Sequence, residues 1–350
     1  MDRPSRQKGL YLTAMNPVPQ QTVIRTTGLS IGYRKGGVTS TLFEDLELAL
    51  YRGQLTCFMG PNGIGKSTLI RTLLGVQPPL TGRVEFVDDT SSRLSTLQPS
   101  KKLAAVLTDR ISALNMDVSE LVAFGRYPYL GWGAKLGAED HQMVLRSIRQ
   151  VGIEHLSAKK IYELSDGQLQ LAMIARALAQ DTAVILLDEP TAHLDLNNRL
   201  EIMNLLRNLA HDLKKAVLVA THELDLALQT ADTIWLAGKG KGILSGVPED
   251  LVLNGAFDDV FKFKGYDLKT GRIRHEVSHV GAIQLQGNGH TYLWTKNALE
   301  RSGFFVSPEN APHILKLVSE GAVTTWNLDG TRFNTLEDLL HHLKRNFARQ

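Results

Sequence analysis

A single cysteine, Cys57, stands in a chain of 350 residues. It excludes internal disulfides and suits a reducing compartment. Long apolar runs are missing too: none exceeds five residues, as in Ala183–Leu187 and Ala216–Ala220. A membrane-crossing helix needs about 20 such residues, so the chain is expected not to cross a bilayer by itself. A surplus of one charge is also lacking, with 39 basic against 36 acidic residues and a net charge of +3. That balance gives no argument for nucleic acid and allows contact with a membrane surface. Arg3, Arg6 and Lys8 are followed by no apolar core of a signal peptide. Hydrophobic residues at 43% and charged residues at 21% are a globular balance, and the length suggests two domains.

Residues 1–21 are polar and proline-containing and read as a loose tail. Val23, Ile24, Leu29, Ile31 and Tyr33 alternate as in a strand, Leu42–Leu48 reads as another, and Gln54–Met59 runs into a glycine-rich turn. Ser67–Leu74 has helical spacing and stops at Gly75. Residues 115–160 read as mainly helical, with Glu139–Val151 periodic and a loop rich in Gly, Pro and aromatics at Gly125–Gly133. A helix over Gln168–Ala179 is followed by buried-type strands at Val184–Leu187 and Val217–Ala220, with a helix over Asn198–Leu213 between them. Strands alternating with helices argue for a parallel α/β sheet with a helical insertion, here about 112–170. The pattern changes at a polar turn near Asp267–Gly271, so 266–275 is taken as a linker between a domain over 22–265 and a small α+β domain over 276–350. The latter holds strands at Val280–Leu285, Ile314–Val318 and Val323–Leu328, a helix over Tyr292–Arg301, and a hairpin turn at Asp329-Gly330. Leu336, Leu339, Leu340, Leu343 and Phe347 line a last helix with Thr335 as N-cap. Trp294 and Trp326 are expected in its core, and the adjacent His341 and His342 point apart and make a poor metal pair.

Gly60-Pro61-Asn62-Gly63-Ile64-Gly65-Lys66-Ser67-Thr68 fits the phosphate-loop pattern. Glycines let backbone N–H groups curl around phosphates, and the following helix aims its positive end at them. Lys66 would neutralise the terminal phosphates and the Ser67 hydroxyl would ligate magnesium. This loop alone does not separate kinases, GTPases and ATPases. Val184–Leu187 ends in Asp188 and Glu189, the first suited to holding magnesium and the second to polarising an attacking water. Leu164-Ser165-Asp166-Gly167-Gln168 precedes them and forms a capping box through Ser165 and Gln168. A capped helix N-terminus is also an anion site.

With that motif the chain resembles the ATP-binding cassette (ABC) family, whose signature is usually Leu-Ser-Gly-Gly-Gln; Asp166 departs from it. The resemblance covers about residues 22–262 and implies a P-loop NTPase fold with a helical subdomain, ATP hydrolysis with magnesium, and ATP sandwiched between two copies. It implies that Ser165, Gly167 and Gln168 face the γ-phosphate held by the other copy. Asp195, in Ala192-His193-Leu194-Asp195, would touch the partner, His222 would sense the γ-phosphate, and Tyr33 would stack on adenine. The family's glutamine after the strand Leu103–Leu107 is absent; Thr108 could offer a hydroxyl to magnesium instead, or Asp109 a carboxylate.

Val118–Leu130, Leu136–Asp140 and Pro190–Asn197 resemble the branch that powers import of ferric siderophores, haem and cobalamin. An exposed loop of Arg126, Tyr127, Tyr129 and Trp132 would receive a membrane permease. These resemblances imply a peripheral ATPase subunit on the cytoplasmic face of the inner membrane. It would work with a second copy of itself, a separate permease and, indirectly, a substrate-binding protein, and with no nucleic acid. A soluble ABC ATPase acting on ribosomes or DNA is the competing expectation, disfavoured by the single phosphate loop and the absence of a heptad run.

Overall fold

The computed structural model describes residues 21–87, 99–107, 115–131, 135–263, 266–269, 272–273, 280–307, 309, 311–320 and 323–347. The N-terminal tail, Thr108, Asp109 and Trp132 lie outside them. The chain divides into two compact units, Met1–Lys262 and Phe263–Gln350.

The first unit carries two sheets. One is antiparallel and centres on β1 (Thr22–Lys35), which pairs with β2 (Val38–Leu46), β3 (Ala49–Tyr51) and β5 (Thr81–Phe86). The other holds six strands: β4 (Leu55–Met59), β6 (Leu103–Val106), β7 (Val184–Asp188), β8 (Ala216–Ala220), β9 (Thr233–Gly238) and β10 (Gly242–Gly246). Their order is β10-β9-β4-β8-β7-β6, parallel except for the β9–β10 pair. Every residue of β4, β7 and β8 is buried. Parallel strands covered on both faces read as unbroken apolar runs, which is why these five-residue segments stand out in the sequence. Cys57 lies at the middle of β4, fully buried, and burial pushes its thiol up to about 12.

Eight helices of this unit are described: α1 (Lys66–Leu73), α2 (Val118–Ala123), α3 (Ala138–Gln150), α4 (Asp166–Ala179), α5 (Leu196–Leu213), α6 (Leu224–Thr230), α7 (Pro248–Leu253) and α8 (Ala256–Phe261). The expected loop at 125–133 is corrected: Phe124–Tyr129 is a 3-10 helix. Gly125 lets it lie against α4, because a Cβ there would stand 2.2 Å from the Arg176 carbonyl oxygen. Arg126 is not offered to a partner either. Its Nε donates to Asp140 Oδ1 at 2.8 Å, its Nη1 donates to the Ala179 carbonyl at 2.9 Å, and it lies 4.1 Å over the Tyr129 ring. Buried charge demands such partners. Tyr127 and Tyr129 remain exposed.

The second unit begins with a short hairpin, β11 (Tyr266–Asp267) and β12 (Arg272–Ile273). Five further strands, β13 (Gly281–Gln286), β14 (Phe304–Ser307), β15 (His313–Glu320), β16 (Val323–Leu328) and β17 (Thr331–Phe333), run in the order β14-β13-β15-β16-β17. Ile283, Leu285, Leu315 and Leu328 of this sheet form one core with Leu299 of α9 (Gly289–Arg301) and Leu339 and Leu343 of α10 (Leu336–Phe347). Thr335 takes the expected N-cap position, its Oγ1 accepting from the Asp338 N–H at 3.1 Å. Trp326 packs against this core and donates its ring N–H to Thr295 at 2.8 Å. Trp294 does not: it is 68% exposed, because position 294 falls on the outer face of α9 with Leu293 and Asn297. Among the described residues no helix is long and apolar enough to cross a membrane.

Candidate functional site

The loop after β4 is bent by its glycines. Gly60, Gly63 and Gly65 all have positive φ, at 157°, 75° and 118°. At Gly60 a Cβ would also stand 2.8 Å from the Ala237 carbonyl oxygen. All three positions favour glycine for conformation, and Gly60 and Gly65 for space as well. Lys66 opens α1 and is buried, its Nζ donating to the Gly60 carbonyl at 2.9 Å and to that of Pro61 at 3.4 Å. The lysine thus closes the loop on itself. Burial pushes its ammonium below the ordinary lysine range, and Glu189 and Asp188 pull it partly back. Next to it Thr68 shares a hydrogen bond of 2.7 Å with the Tyr33 hydroxyl, while the Tyr33 residue is half exposed.

The carboxylates stand at the end of β7. Asp188 is buried, and burial pushes its carboxyl up; the hydrogen bond from Ser67 opposes that shift and Glu189 adds to it. A hydroxyl and a carboxylate held together are hard oxygen donors of the kind magnesium takes, the rest coming from phosphate and water. Among the described residues no cluster of three His, Cys, Asp or Glu suits a metal held by protein alone. Glu189 follows with φ 50°, a left-handed conformation rare for such a residue and costing about 1 kcal/mol or more. Its N–H donates to the Ala220 carbonyl at 2.9 Å, pinning it to the end of β8. There its Oε2 stands 3.4 Å from His222 Nδ1. Lys66, Ser67, Asp188, Glu189 and His222 thus meet in one place, at the carboxyl ends of neighbouring parallel strands, where open α/β sheets bind ligands.

A second group forms around the N-termini of α4 and α5. Ser165 caps α4, its Oγ accepting from the Gln168 N–H at 3.3 Å while Gln168 Oε1 accepts from the Ser165 N–H at 3.2 Å. Asp195 caps α5, accepting from the Asn198 N–H at 2.9 Å. Gly167 is buried against the Asn198 side chain, and Asp166 is exposed.

The sequence carries two family matches: the ABC transporter profile over residues 43–192 and the iron ABC transporter C-terminal domain over 280–344. An uncharacterized ABC transporter ATP-binding protein of Methanocaldococcus jannaschii is 36% identical over 76% of this chain and 88% of its own length. The chain belongs to the ABC transporter ATP-binding family. The petrobactin import ATP-binding protein FpuD of Bacillus anthracis is 32% identical over 74% of the chain and 98% of its own length. Among solved structures, the inward-facing conformation of a metal-chelate type ABC transporter is similar, with a TM-score of 0.60 and 27% identity over 69% of this chain and 90% of that one. The cassette is therefore a nucleotide-binding P-loop ATPase of mixed α/β fold whose activity is coupled to transport, with the iron-transporter C-terminal domain as its second unit. Sequence reasoning missed the pairing of Arg199 with Glu223, which meet at 2.7 Å beside His222; 24 residues separate them, and although Glu223 closes the segment Ala220-Thr221-His222-Glu223, nothing in it points to Arg199.

Proposed function

We propose that the cassette energises import of an iron chelate, haem or cobalamin-type substrate through a separate membrane permease. Two copies would close on two ATP molecules at the cytoplasmic face of the inner membrane. The meeting of Lys66, Ser67, Asp188, Glu189 and His222 carries the catalytic part of this reading. The match of residues 280–344 to an iron-transporter domain supports the substrate class.

In this reading backbone N–H groups of Gly60–Thr68, with Pro61 and Asn62 shaping the turn, bind the phosphates. Lys66 leaves the carbonyls that hold it and takes phosphate oxygens. Tyr33 stacks on adenine. Ser67 and Asp188 hold magnesium, which supplies positive charge against the phosphates. Glu189 accepts a proton from the attacking water, and His222 donates to the γ-phosphate. The capped end of α4, with Ser165, Gly167 and Gln168, completes the site on the second copy, and Asp195 touches that copy. A substrate-binding protein would deliver cargo to the permease.

The test is Glu189→Gln. It should bind ATP, lose hydrolysis and accumulate as an ATP-dependent dimer on a sizing column; hydrolysis at the wild-type rate would sink the reading. Uptake assays in a strain lacking this chain, with a ferric siderophore, haem and cobalamin in parallel, would distinguish the substrates.

A further inference from the structure

The first turn of α5 makes contacts that hydrolysis itself does not call for. Asp195 Oδ2 accepts from Asn198 Nδ2 at 2.9 Å, so the Asn198 side chain is held in place. That side chain occupies the space beside Gly167, where a Cβ would stand 3.2 Å from Asn198 Cγ. The anion end of α4 is thereby seated on α5. One residue on, Arg199 Nε donates to the Leu194 carbonyl at 2.6 Å and Nη1 to Glu223 Oε1 at 2.7 Å. Leu194 belongs to the loop before α5, and Glu223 directly follows His222.

His222 stands between two carboxylates, Glu189 Oε2 at 3.4 Å from Nδ1 and Glu223 Oε1 at 3.9 Å from Nε2. Arg199 occupies the same Glu223 oxygen at shorter range. The Glu223 backbone is fixed as well, its N–H donating to Thr221 Oγ1 at 3.0 Å. The Glu223 side chain is only 18% exposed and that of Arg199 33%, so the ion pair is partly shielded from solvent. A guanidinium can serve a carbonyl and a carboxylate at once with fixed geometry; an ammonium holds neither angle.

We propose that Arg199 is a positioning residue that locks the loop 192–195 to the His222 turn and keeps Glu223 from drawing His222 away from Glu189. The inference rests on the function proposed above, in which that loop meets the second copy and His222 meets the γ-phosphate. Closure against the loop is then transmitted to the His222 turn through the Arg199–Glu223 pair. Arg199 acts through Leu194 and Glu223, so in this reading it governs turnover and not nucleotide affinity.

The test uses the full chain with Arg199→Gln, Arg199→Lys, Glu223→Gln and the double variant of the two glutamine changes. Steady-state ATPase kinetics, binding of a fluorescent ATP analogue and Tm are measured for each. Arg199→Gln and Glu223→Gln should each lower kcat about tenfold, as ångström-scale misplacement of reacting groups does. KM and analogue affinity should stay within about twofold, and Arg199→Lys should recover only part of the loss. The double should be no slower than the worse single, because both remove one contact. Glu223→Gln is isosteric and keeps the reading testable if Arg199→Gln folds poorly. Unchanged kcat, multiplying losses in the double, or affinity and Tm falling in step with the rate would each overturn it. If Glu189→Gln blocks hydrolysis while these variants do not slow it, only the positioning role is lost. If the wild type lacks ATPase activity, both readings fall.

Discussion

Asp188 shows a conflict between folding and chemistry within one side chain. Burial of the Asp188 carboxylate is costly to the ligand-free fold and raises its pKa, against the partial compensation of the Ser67 hydrogen bond and the charges of Lys66 and Arg71. The folded chain therefore keeps that proton at pH values where the unfolded chain has lost it. Stability of the ligand-free protein falls as pH rises from the ordinary carboxylate range through the raised value. Asp188→Asn should flatten this dependence in urea denaturation and add about 1 kcal/mol at neutral pH. In the proposed function the same variant should lose at least about 100-fold in ATP hydrolysis, since Asp188 would be a magnesium donor. That Lys66, Ser67, Asp188, Glu189 and His222 are candidates for one site was legible because the proposed chemistry needs fixed types within short segments: a Gly-rich loop, an apolar strand ending in acid, a histidine at the end of another strand. The pairing of Arg199 with Glu223 was not legible, because nothing local to either one signals the other.

At the scale of elements, close approach decides what a position tolerates. Gly125→Ala would push a methyl group into the Arg176 carbonyl, so the 3-10 helix must separate from α4. The expected cost is about 2 kcal/mol, read as a lower Tm. The turn between β16 and β17 offers a charge test. Burial alone would raise Asp329, but the Ile314 N–H and His313 outweigh it and hold the carboxyl below its ordinary range. Asp329 also has φ 48°, which asparagine accepts. Asp329→Asn therefore removes charge without straining the turn, and should cost about 0.5 kcal/mol near neutral pH, a small figure because the side chain is partly exposed. The stabilisation exists above the ordinary carboxylate pKa and is lost as pH falls through the depressed one, so the two proteins should converge in acid denaturation. The buried strands β4, β7 and β8 and the capped helices α4 and α5 could be read from sequence, but β9, buried along most of its length, was not. Strands β5, β10, β14 and β17 could not, being short and lying next to turns, where alternation has too few residues to show. Trp294 was misread for a related reason: size suggested core, and only the phase of α9 decides which face carries it.

At the scale of the molecule, the two units hold separate cores, one around Phe58, Leu69, Leu186 and Trp235, the other around Leu285, Leu315 and Leu339. Leu339→Ala removes buried methyl groups from the second alone. It should lower one of two calorimetric transitions by about 3 kcal/mol. ATPase activity should persist at temperatures below that transition, and a loss of both transitions together would show that the cores are not independent. Length and the break in pattern near residue 266 suggested two domains, and the chain divides into compact units at Lys262 and Phe263. The wiring of the six-stranded sheet was legible only as a class, because parallel order depends on contacts across more than a hundred residues, such as Leu55 beside Val217.

The thiol of Cys57, sealed in the middle of β4, has a practical consequence. Thiolate is the species that reacts with maleimides and spin labels, and a group held up to about 12 supplies almost none at neutral pH. The native chain thus already serves as a blank background for labelling. A single cysteine placed at Leu196, which is 65% exposed, would report the approach of the second copy proposed above without any change to the interior.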